Sequence, residues 1–200
     1  VYLNGLDGLP EDLPELARRM SDRHFGVGSD GLICICPSQT ADFKMRIFNA
    51  DGSEGEMCGN GIRCLGKYVY DKGLTGKREL IVETASGLRT LELLVENGRV
   101  ASVRVDMGCP QVGEPLELMA AGKSWTITPV SMGNPHGVLF VDRPEALDLE
   151  GLGPQFEHHP AFPQGINTEF VACPAPARLT IRVWERGSGA TLACGTGACA

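Results

Sequence analysis

Two short segments of this chain combine a cysteine with closely spaced glycines. Cys58-Gly-Asn-Gly61 lies in the first half of the sequence and Cys194-Gly-Thr-Gly197 in the second, each where a loop is predicted to lead into a helix. Glycines permit tight turns and a close approach of the backbone to a ligand. The free N–H groups of a first helical turn attract a carboxylate and favour a thiolate over a thiol. The two segments therefore predict two activated cysteines beside a bound carboxylate.

Two thiols on opposite faces of one carbon atom have a specific chemistry. One thiolate can remove the proton of an α-carbon while the opposite thiol returns a proton, which inverts the configuration. We therefore predict that Cys58 and Cys194 form an acid/base pair. The alternative interpretation is structural: the glycines cap helices and both cysteines are small buried fillers.

The remaining cysteines favour neither a disulfide scaffold nor a metal site. The chain has 200 residues and 8 cysteines, with no Cys-x-x-Cys pair, so neither a zinc ribbon nor a thioredoxin-type motif is supported. Reduced thiols are the expected state. We predict that six cysteines lie in the core: Cys34, Cys36, Cys64, Cys109, Cys173 and Cys199.

Composition and charge narrow the class of protein. The chain is 42% hydrophobic with a net charge of -7, which is typical of a globular protein and argues against nucleic-acid binding. It has neither an apolar run long enough to span a membrane nor a signal peptide at its start. We expect a cytoplasmic protein, compatible with a homodimer, with a small-molecule amino-acid substrate and no membrane or nucleic-acid partner. Because the sequence begins at Val1 without Met and ends inside a predicted helix, we also expect a fragment cut at both ends.

Hydrophobic periodicity locates the elements that must position the two cysteines. It predicts helices over residues 11–23 and 59–72, a short helical stretch over 144–156 and a further helix from residue 195. Strands are predicted over residues 32–35, 43–49, 79–85, 88–96, 99–105, 125–131, 137–142, 168–173 and 178–184. Strands followed by a helix, in both halves, predict an α+β architecture with two similar domains.

The predicted boundary between the two domains falls in a segment rich in Gly and Pro, residues 107–117. The first domain, residues 1–112, carries Cys58. The second, residues 113–200, carries Cys194 and is expected to be truncated. Each half therefore supplies one of the two candidate thiols.

Four motifs, in order along the chain, closely resemble those of the diaminopimelate epimerases. They are Asn49-Ala-Asp-Gly-Ser-Glu54, Met57-Cys-Gly-Asn-Gly-Ile-Arg-Cys64, Ser131-Met-Gly-Asn-Pro-His136 and Glu185-Arg-Gly-Ser-Gly189 through Ala200. The resemblance implies a cofactor-independent amino-acid epimerase that converts LL-2,6-diaminopimelate to meso-diaminopimelate, serving lysine and cell-wall precursor biosynthesis. It also implies that each domain is a curved, mostly antiparallel sheet around a central helix, with the active site in the cleft between the domains.

The same resemblance implies roles for individual residues. Cys58 and Cys194 are the catalytic thiols, and His136 and Glu185 lie near them and help to set their protonation. The α-carboxylate of the substrate is held by backbone N–H groups around Gly59, Asn60, Gly195 and Thr196. The distal amino-acid end is recognised by Asn49, Asn134, Asn167, Glu185 and Arg186. Neither a metal ion nor pyridoxal phosphate is implied.

Some features depart from the family pattern, and two alternatives stay open. The family's N-terminal His-Gly-x-Gly-Asn-Asp-Phe stretch is absent, and Ala190 stands where the family usually has Glu. The nearer alternative is a proline racemase-like or phenazine-pathway-like isomerase of the same fold, against which Asn60 and Arg186 argue. The more distant alternative is a non-catalytic metal or redox module built on the cysteines.

Overall fold

A computed structural model describes residues 1–200, which form two compact units. The first unit is Val1–Gly108 and the second is Cys109–Ala200. The predicted boundary after residue 112 lies four residues further along the chain (112 − 108) than this division. The difference arises because a short strand, Gln111–Val112, hydrogen-bonds to the sheet of the second unit.

The first unit contains a seven-stranded sheet in the order β1-β2-β3-β5-β6-β7, with β4 paired to β3. Its strands are β1 (Tyr2–Asn4), β2 (Gly31–Cys36), β3 (Phe43–Asn49), β4 (Glu54–Gly55), β5 (Glu79–Thr84), β6 (Gly87–Glu96) and β7 (Arg99–Val105). Only the β1–β2 and β3–β5 pairs are parallel. Strand β1 was not predicted, because a three-residue edge strand gives too short a pattern to recognise.

Two helices pack on this sheet. Helix α1 (Leu13–Ser21) begins after Asp12, whose Oδ1 accepts a hydrogen bond from the Glu15 N–H at 2.9 Å. Helix α2 (Gly59–Asp71) contacts β6 and β7. The face of α2 predicted from apolar spacing is confirmed, because Ile62, Leu65 and Val69 are all fully buried. This packing fixes the N-terminus of α2, where Cys58 lies.

The second unit repeats the combination of a sheet and a packed helix. Its seven-stranded sheet has the order β14-β13-β12-β11-β10-β8, with β9 paired to β10. The strands are β8 (Gln111–Val112), β9 (Leu116–Ala120), β10 (Lys123–Ser131), β11 (Pro135–Phe140), β12 (Asn167–Ala175), β13 (Arg178–Glu185) and β14 (Gly189–Thr191). Only β11 and β12 pair in parallel. The α+β class with two units and mostly antiparallel sheets is thus confirmed.

Helix α3 (Leu149–Glu157) covers the core of the second unit. Phe156 on α3 meets Trp125 and Phe170 edge to face, with ring centroids 5.7 and 5.8 Å apart. Such aromatic pairs add stabilisation beyond the area that they bury. The cluster anchors β12, the strand that carries several of the polar groups described below.

Three predicted elements differ from the structure. The helical stretch predicted over 144–156 is a 3₁₀ turn at Pro144–Ala146 followed by α3. Strand β9 begins inside the segment predicted to be a boundary loop, residues 107–117, and extends three residues beyond it. From residue 195 the chain forms turns: the Ala198 N–H donates to the Cys194 carbonyl at 3.1 Å and the Ala200 N–H donates to the Thr196 carbonyl at 3.0 Å. None of the helices has the length and apolar character needed to cross a membrane.

Candidate active site

Cys58 occupies the N-cap of helix α2. Its Sγ accepts a hydrogen bond from the Gly61 N–H at 3.2 Å, and its carbonyl accepts one from the Ile62 N–H at 2.9 Å. A Cβ on Gly61 would lie 2.3 Å from Cδ1 of Ile33 and 3.2 Å from the sulfur. The second glycine of the motif is therefore required by the close approach of α2 to the sheet. Half-buried Cys58 consequently has a helix N-terminus directed at its sulfur.

The other predicted residues of the first unit lie in the first turn of α2 and at the end of β3. Asn60 is exposed in the first turn of α2, where its Oδ1 accepts a hydrogen bond from Arg63 at 2.5 Å. Asn49 ends β3 and donates to the Ser53 hydroxyl at 3.0 Å across a tight turn. Tyr2 donates to the Gly61 carbonyl at 2.9 Å, and burial raises the pKa of its phenol. Tyr2 was not predicted to touch this motif, since nothing in the sequence places β1 beside it.

Cys194 repeats the local geometry of Cys58. Its Sγ accepts a hydrogen bond from the Gly197 N–H at 3.4 Å and lies 3.4 Å from the Thr196 hydroxyl. In both motifs the sulfur accepts from the N–H of the glycine three residues later. The internal repeat read from the sequence therefore corresponds to one recurring cap, in which backbone N–H groups face a thiol.

The surroundings of Cys194 act against its ionisation. Burial and, to a smaller extent, the negative charge of Glu185 together raise the pKa of this thiol to about 11. The hydrogen bonds from Thr196 and Gly197 work in the opposite direction and are outweighed. The expectation that the turn alone would favour the Cys194 thiolate is therefore wrong for this conformation, because removal of the sulfur from water dominates.

A buried pair of ionisable side chains lies beside Cys194. Nδ1 of His136 is 2.7 Å from Oε1 of Glu169, and both side chains are completely shielded from solvent. Burial raises the pKa of the Glu169 carboxyl, while the bond to His136 opposes that rise. The parallel pairing of β11 with β12 brings the two residues together. His136 was predicted as a site residue and is confirmed as a neighbour of Cys194, since their donor atoms lie within 4.8 Å of each other.

Glu169 was missed in the sequence. It lies in Asn167-Thr-Glu-Phe-Val171, the first five residues of β12, all of which are buried. A glutamate inside a strand that is otherwise suitable for a core is the signal that could have identified it, because buried carboxyls are rare unless paired. The structure adds a second sign, as a Cβ on Gly197 would lie 2.3 Å from Oε1 of Glu169. The carboxyl thus lies directly against the turn that carries Cys194.

Asn134 connects the buried pair to the same turn. Its Oδ1 faces Nε2 of His136 at 3.1 Å, and its Nδ2 donates to the Thr196 hydroxyl at 3.2 Å. Thr196 is only 3% exposed. Asn134, His136 and Thr196, all predicted from the motifs, are therefore assembled around Cys194 by hydrogen bonds.

The segment that carries Arg186 is held from two sides. Asn167 donates to the Pro135 carbonyl at 2.8 Å and accepts from the Arg186 N–H at 2.9 Å. Buried Glu157 accepts from the Trp184 indole at 2.6 Å and from the Gly187 N–H at 2.8 Å. The backbone of Arg186 is consequently rigid, while its guanidinium is partly exposed and donates to the Gln164 carbonyl at 3.2 Å.

Glu185 is the remaining predicted residue of this group. It ends β13 and accepts a hydrogen bond from the Thr191 hydroxyl on β14. Its charge influences the thiol of Cys194, which agrees with the expected location near a catalytic cysteine.

Three donor atoms in the second unit are close enough to be considered for a metal ion. His136, Glu169 and Cys194 each offer one, all within 4.8 Å of one another. A zinc ion needs nitrogen and oxygen ligands at about 2.0–2.2 Å, so it would have to replace the hydrogen bond of the His136–Glu169 pair. With the His136–Glu169 hydrogen bond in place, the cluster is a carboxyl–imidazole pair next to the Cys194 thiol. The expectation of a metal-free site stays a prediction.

The prediction that six cysteines lie in the core is correct for only two of them. Cys34 and Cys36 on β2 are buried. The other four are exposed: Cys64, Cys109, Cys173 and Cys199. The burial of these four cysteines cannot be predicted from residue type alone, because a cysteine is small enough to be tolerated on either face of a strand or helix.

Comparison with known proteins connects this geometry to one family. A family model described as "Diaminopimelate epimerase" matches residues 1–113 and 128–200. Curated proteins named diaminopimelate epimerase resemble the whole chain. The protein of Acetivibrio thermocellus is 51% identical over 100% of this chain and 76% of its own length. That of Methanococcus maripaludis is 49% identical over 100% of this chain and 77% of its own length.

Solved structures of more distant proteins share the fold. A probable proline racemase from Agrobacterium radiobacter aligns with a TM-score of 0.75 at 17% identity, covering 98% of this chain and 71% of its own. A phenazine biosynthesis protein from Bacillus anthracis aligns with a TM-score of 0.67 at 20% identity, covering 98% and 70%. At such low identity these matches establish the architecture alone.

Proposed function

The chain belongs to the diaminopimelate epimerase family, and we propose that it interconverts LL-2,6-diaminopimelate and meso-diaminopimelate. The observation that carries this function is the match of the whole of this chain, at about 50% sequence identity, to curated proteins of that name. The reaction is an amino-acid epimerisation, and its product serves lysine biosynthesis. The paired Cys-Gly-x-Gly caps supply the chemistry that such a reaction needs.

The proposed mechanism uses the two thiols as acid and base. A thiolate at one cysteine removes the α-proton of the substrate, and the thiol of the other returns a proton to the opposite face. The developing negative charge is stabilised by backbone N–H groups of the two caps, around Gly59, Asn60, Gly195 and Thr196. The raised pKa of Cys194 supports its assignment as the protonated partner in the ligand-free enzyme.

Recognition of the distal end is assigned to polar groups outside the caps. We propose Arg186 for the distal carboxylate, since a guanidinium can form two parallel hydrogen bonds with it. Asn49, Asn134 and Glu185 would supply acceptors for ammonium groups and further hydrogen bonds. Asn167 would act by holding the Arg186 backbone at 2.9 Å and by contributing its remaining hydrogen-bonding capacity.

The alternatives are less well supported. The proline racemase-like and phenazine-related structures share the fold at 20% sequence identity or less. Curated proteins named for the proposed activity match at about 50% sequence identity. The chain has no Cys-x-x-Cys, the spacing that zinc ribbons and thioredoxin-type redox modules use. We propose a cytoplasmic enzyme without metal or organic cofactor, acting as a homodimer on a free amino acid.

A deuterium-exchange assay tests the function directly. Purified protein is incubated with LL-diaminopimelate in D₂O, and the α-deuterium content and the isomer ratio are followed. We expect deuterium at the inverted α-carbon together with the meso isomer, with no cofactor added. Exchange on proline or hydroxyproline, without exchange on diaminopimelate, would favour the alternative isomerases.

A further inference from the structure

Glu169 is a buried ionisable group in the second unit to which the proposed function assigns no role. Its side chain is completely buried, Oε1 lies 2.7 Å from His136 and Oε2 has no hydrogen-bond partner. A buried carboxyl with an unpaired oxygen destabilises a fold. A hydrophobic residue would fill this strand position at a lower free-energy cost, so a role for the carboxyl itself is indicated.

The direction of the hydrogen bonds beside Glu169 is determined by chemistry. Oδ1 of Asn134 can only accept, so Nε2 of His136, 3.1 Å away, must carry a proton. The 2.7 Å contact between Nδ1 of His136 and Glu169 then contains one more proton, held by either partner. The pair is therefore either a neutral acid beside a neutral ring or a carboxylate beside an imidazolium, and in both forms it has no net charge.

Hydrogen-bond donation continues in the same direction from Asn134 towards the thiol of Cys194. Nδ2 of Asn134 donates to Oγ1 of Thr196 at 3.2 Å, which leaves the hydroxyl hydrogen of Thr196 free to point elsewhere. Sγ of Cys194 lies 3.4 Å from that hydroxyl. A thiolate accepts such a bond more strongly than a thiol does. The hydrogen-bond chain from Glu169 to Thr196 thus leaves a hydroxyl donor available to the sulfur.

We propose that Glu169 is a positioning residue for Cys194: by sharing a proton with His136, it holds the ring as a donor to Asn134 and so keeps the Thr196 hydroxyl directed at the sulfur. The proposal rests on the proposed function, in which Cys194 is a catalytic thiol. The ionisable groups facing this sulfur are His136 on β11, Glu169 on β12 and Glu185 on β13. A charge on Glu169 raises the pKa of Cys194, as burial and Glu185 also do, so the proposed help to ionisation comes from the Thr196 hydroxyl at the end of the hydrogen-bond chain and not from the carboxylate charge.

Two nearly isosteric variants separate this role from simple packing. In Glu169→Gln the amide can donate to Nδ1 of His136, so the direction of the whole chain is kept. In Glu169→Met the side chain has a similar length but cannot form this bond. Both replacements are uncharged, so a difference between them reports the hydrogen-bond chain rather than the loss of charge.

The main readout is the pH dependence of Cys194 alkylation by iodoacetamide, followed by fragment-ion mass spectrometry that separates Cys194 from Cys199. We expect the midpoint to lie at higher pH in Glu169→Met than in Glu169→Gln, by roughly half a unit to one unit. In a Thr196→Val background the two variants should have the same midpoint, because the donor that the chain directs is gone. Equal midpoints with Thr196 present would overturn the proposal.

Kinetics supply the second readout. We expect Glu169→Met to reduce kcat by about 10- to 100-fold with little change in KM, as is typical of groups that orient a catalytic residue. Glu169→Gln should retain most of the wild-type kcat. The matched control is Glu117→Gln on β9, which also removes a carboxylate that accepts from two hydroxyls, those of Ser124 and Thr126. It should leave both readouts unchanged. Because alkylation needs no turnover, it decides this proposal even if the protein fails to epimerise diaminopimelate.

Discussion

Sγ of Cys194 and the backbone N–H of Gly197 form a 3.4 Å hydrogen bond. The same bond joins Cys58 to Gly61 at 3.2 Å. A sulfur that accepts from the residue three positions later is an N-cap interaction, usually made by Ser, Thr, Asp or Asn. In this chain the capping atom is also the proposed acid or base, so the stability of each turn and the reactivity of its thiol depend on one bond.

Replacing either thiol should abolish epimerisation. In Cys58→Ser and in Cys194→Ser the hydroxyl can still cap the turn but is a far weaker acid and base. We expect kcat to fall by at least about 100-fold, within the usual range for general acid/base groups. Exposed Cys173 on β12 provides the matched control, and Cys173→Ser should retain activity. Full activity in either site variant would exclude the two-thiol mechanism.

The second glycine of each motif should not tolerate a side chain. A Cβ at Gly197 would lie 2.3 Å from Glu169 and one at Gly61 would lie 2.3 Å from Ile33. We expect Gly197→Ala and Gly61→Ala to lower the melting temperature and activity, since overpacking typically costs about 1–3 kcal/mol. Gly76→Ala is the control, because nothing lies within 4 Å of that position. Thermal unfolding and the exchange assay measure both effects.

The pH dependence of stability should reveal the buried thiol of Cys194. Its pKa is raised in the folded state from 9.0 to about 11. Below pH 9.0 both the folded and the unfolded forms keep the proton, so the contribution to stability is fully present there. As the pH rises towards 11, the unfolded chain ionises first and that contribution is lost.

This loss can be isolated by urea unfolding of the wild type and of Cys194→Ala. The wild type should lose about 1–3 kcal/mol relative to the variant across this interval. The comparison with Cys194→Ala is needed because the pKa of Cys34 is also raised to about 11. Ionisation of Cys34 affects both proteins equally, so the difference between their stabilities reports Cys194. Parallel curves for the two proteins would show that Cys194 ionises normally.

Arg186→Lys tests recognition of the distal carboxylate. Lysine keeps the charge but loses the planar pair of donors. We expect KM to rise by about tenfold, equivalent to about 1.4 kcal/mol of binding free energy, with a smaller effect on kcat and an unchanged circular dichroism spectrum. Arg104→Lys serves as the control, because Arg104 is exposed and pairs only with Glu92 on the surface. Unchanged kinetics would give Arg186 a structural role.

Chelation tests the cofactor-independent mechanism. The proposed thiol chemistry needs neither a metal ion nor a carbonyl cofactor, so activity should survive dialysis against EDTA and treatment with hydroxylamine. The exchange assay before and after dialysis measures this. Activity that is lost with EDTA and restored by zinc would instead assign a metal to the donors His136, Glu169 and Cys194.

Much of this protein can be predicted from the sequence because its signals are local. The apolar spacing in α2 depends on 3.6 residues per turn, and that face is buried as predicted. The repeated Cys-Gly-x-Gly segments predict both caps, since a tight turn into N–H donors is encoded by a few adjacent residues. The family follows from four motifs in order, and the comparisons confirm it.

Tertiary structure decided what surrounds the thiols. Glu169 and His136 are 33 residues apart and meet only because β11 and β12 pair in parallel, a register that no local pattern specifies. The raised pKa of Cys194 likewise depends on burial and on Glu185, which lies on another strand. A motif identifies the residue that can carry a proton, whereas its solvation and charged neighbours, set by distant parts of the chain, determine when it does so.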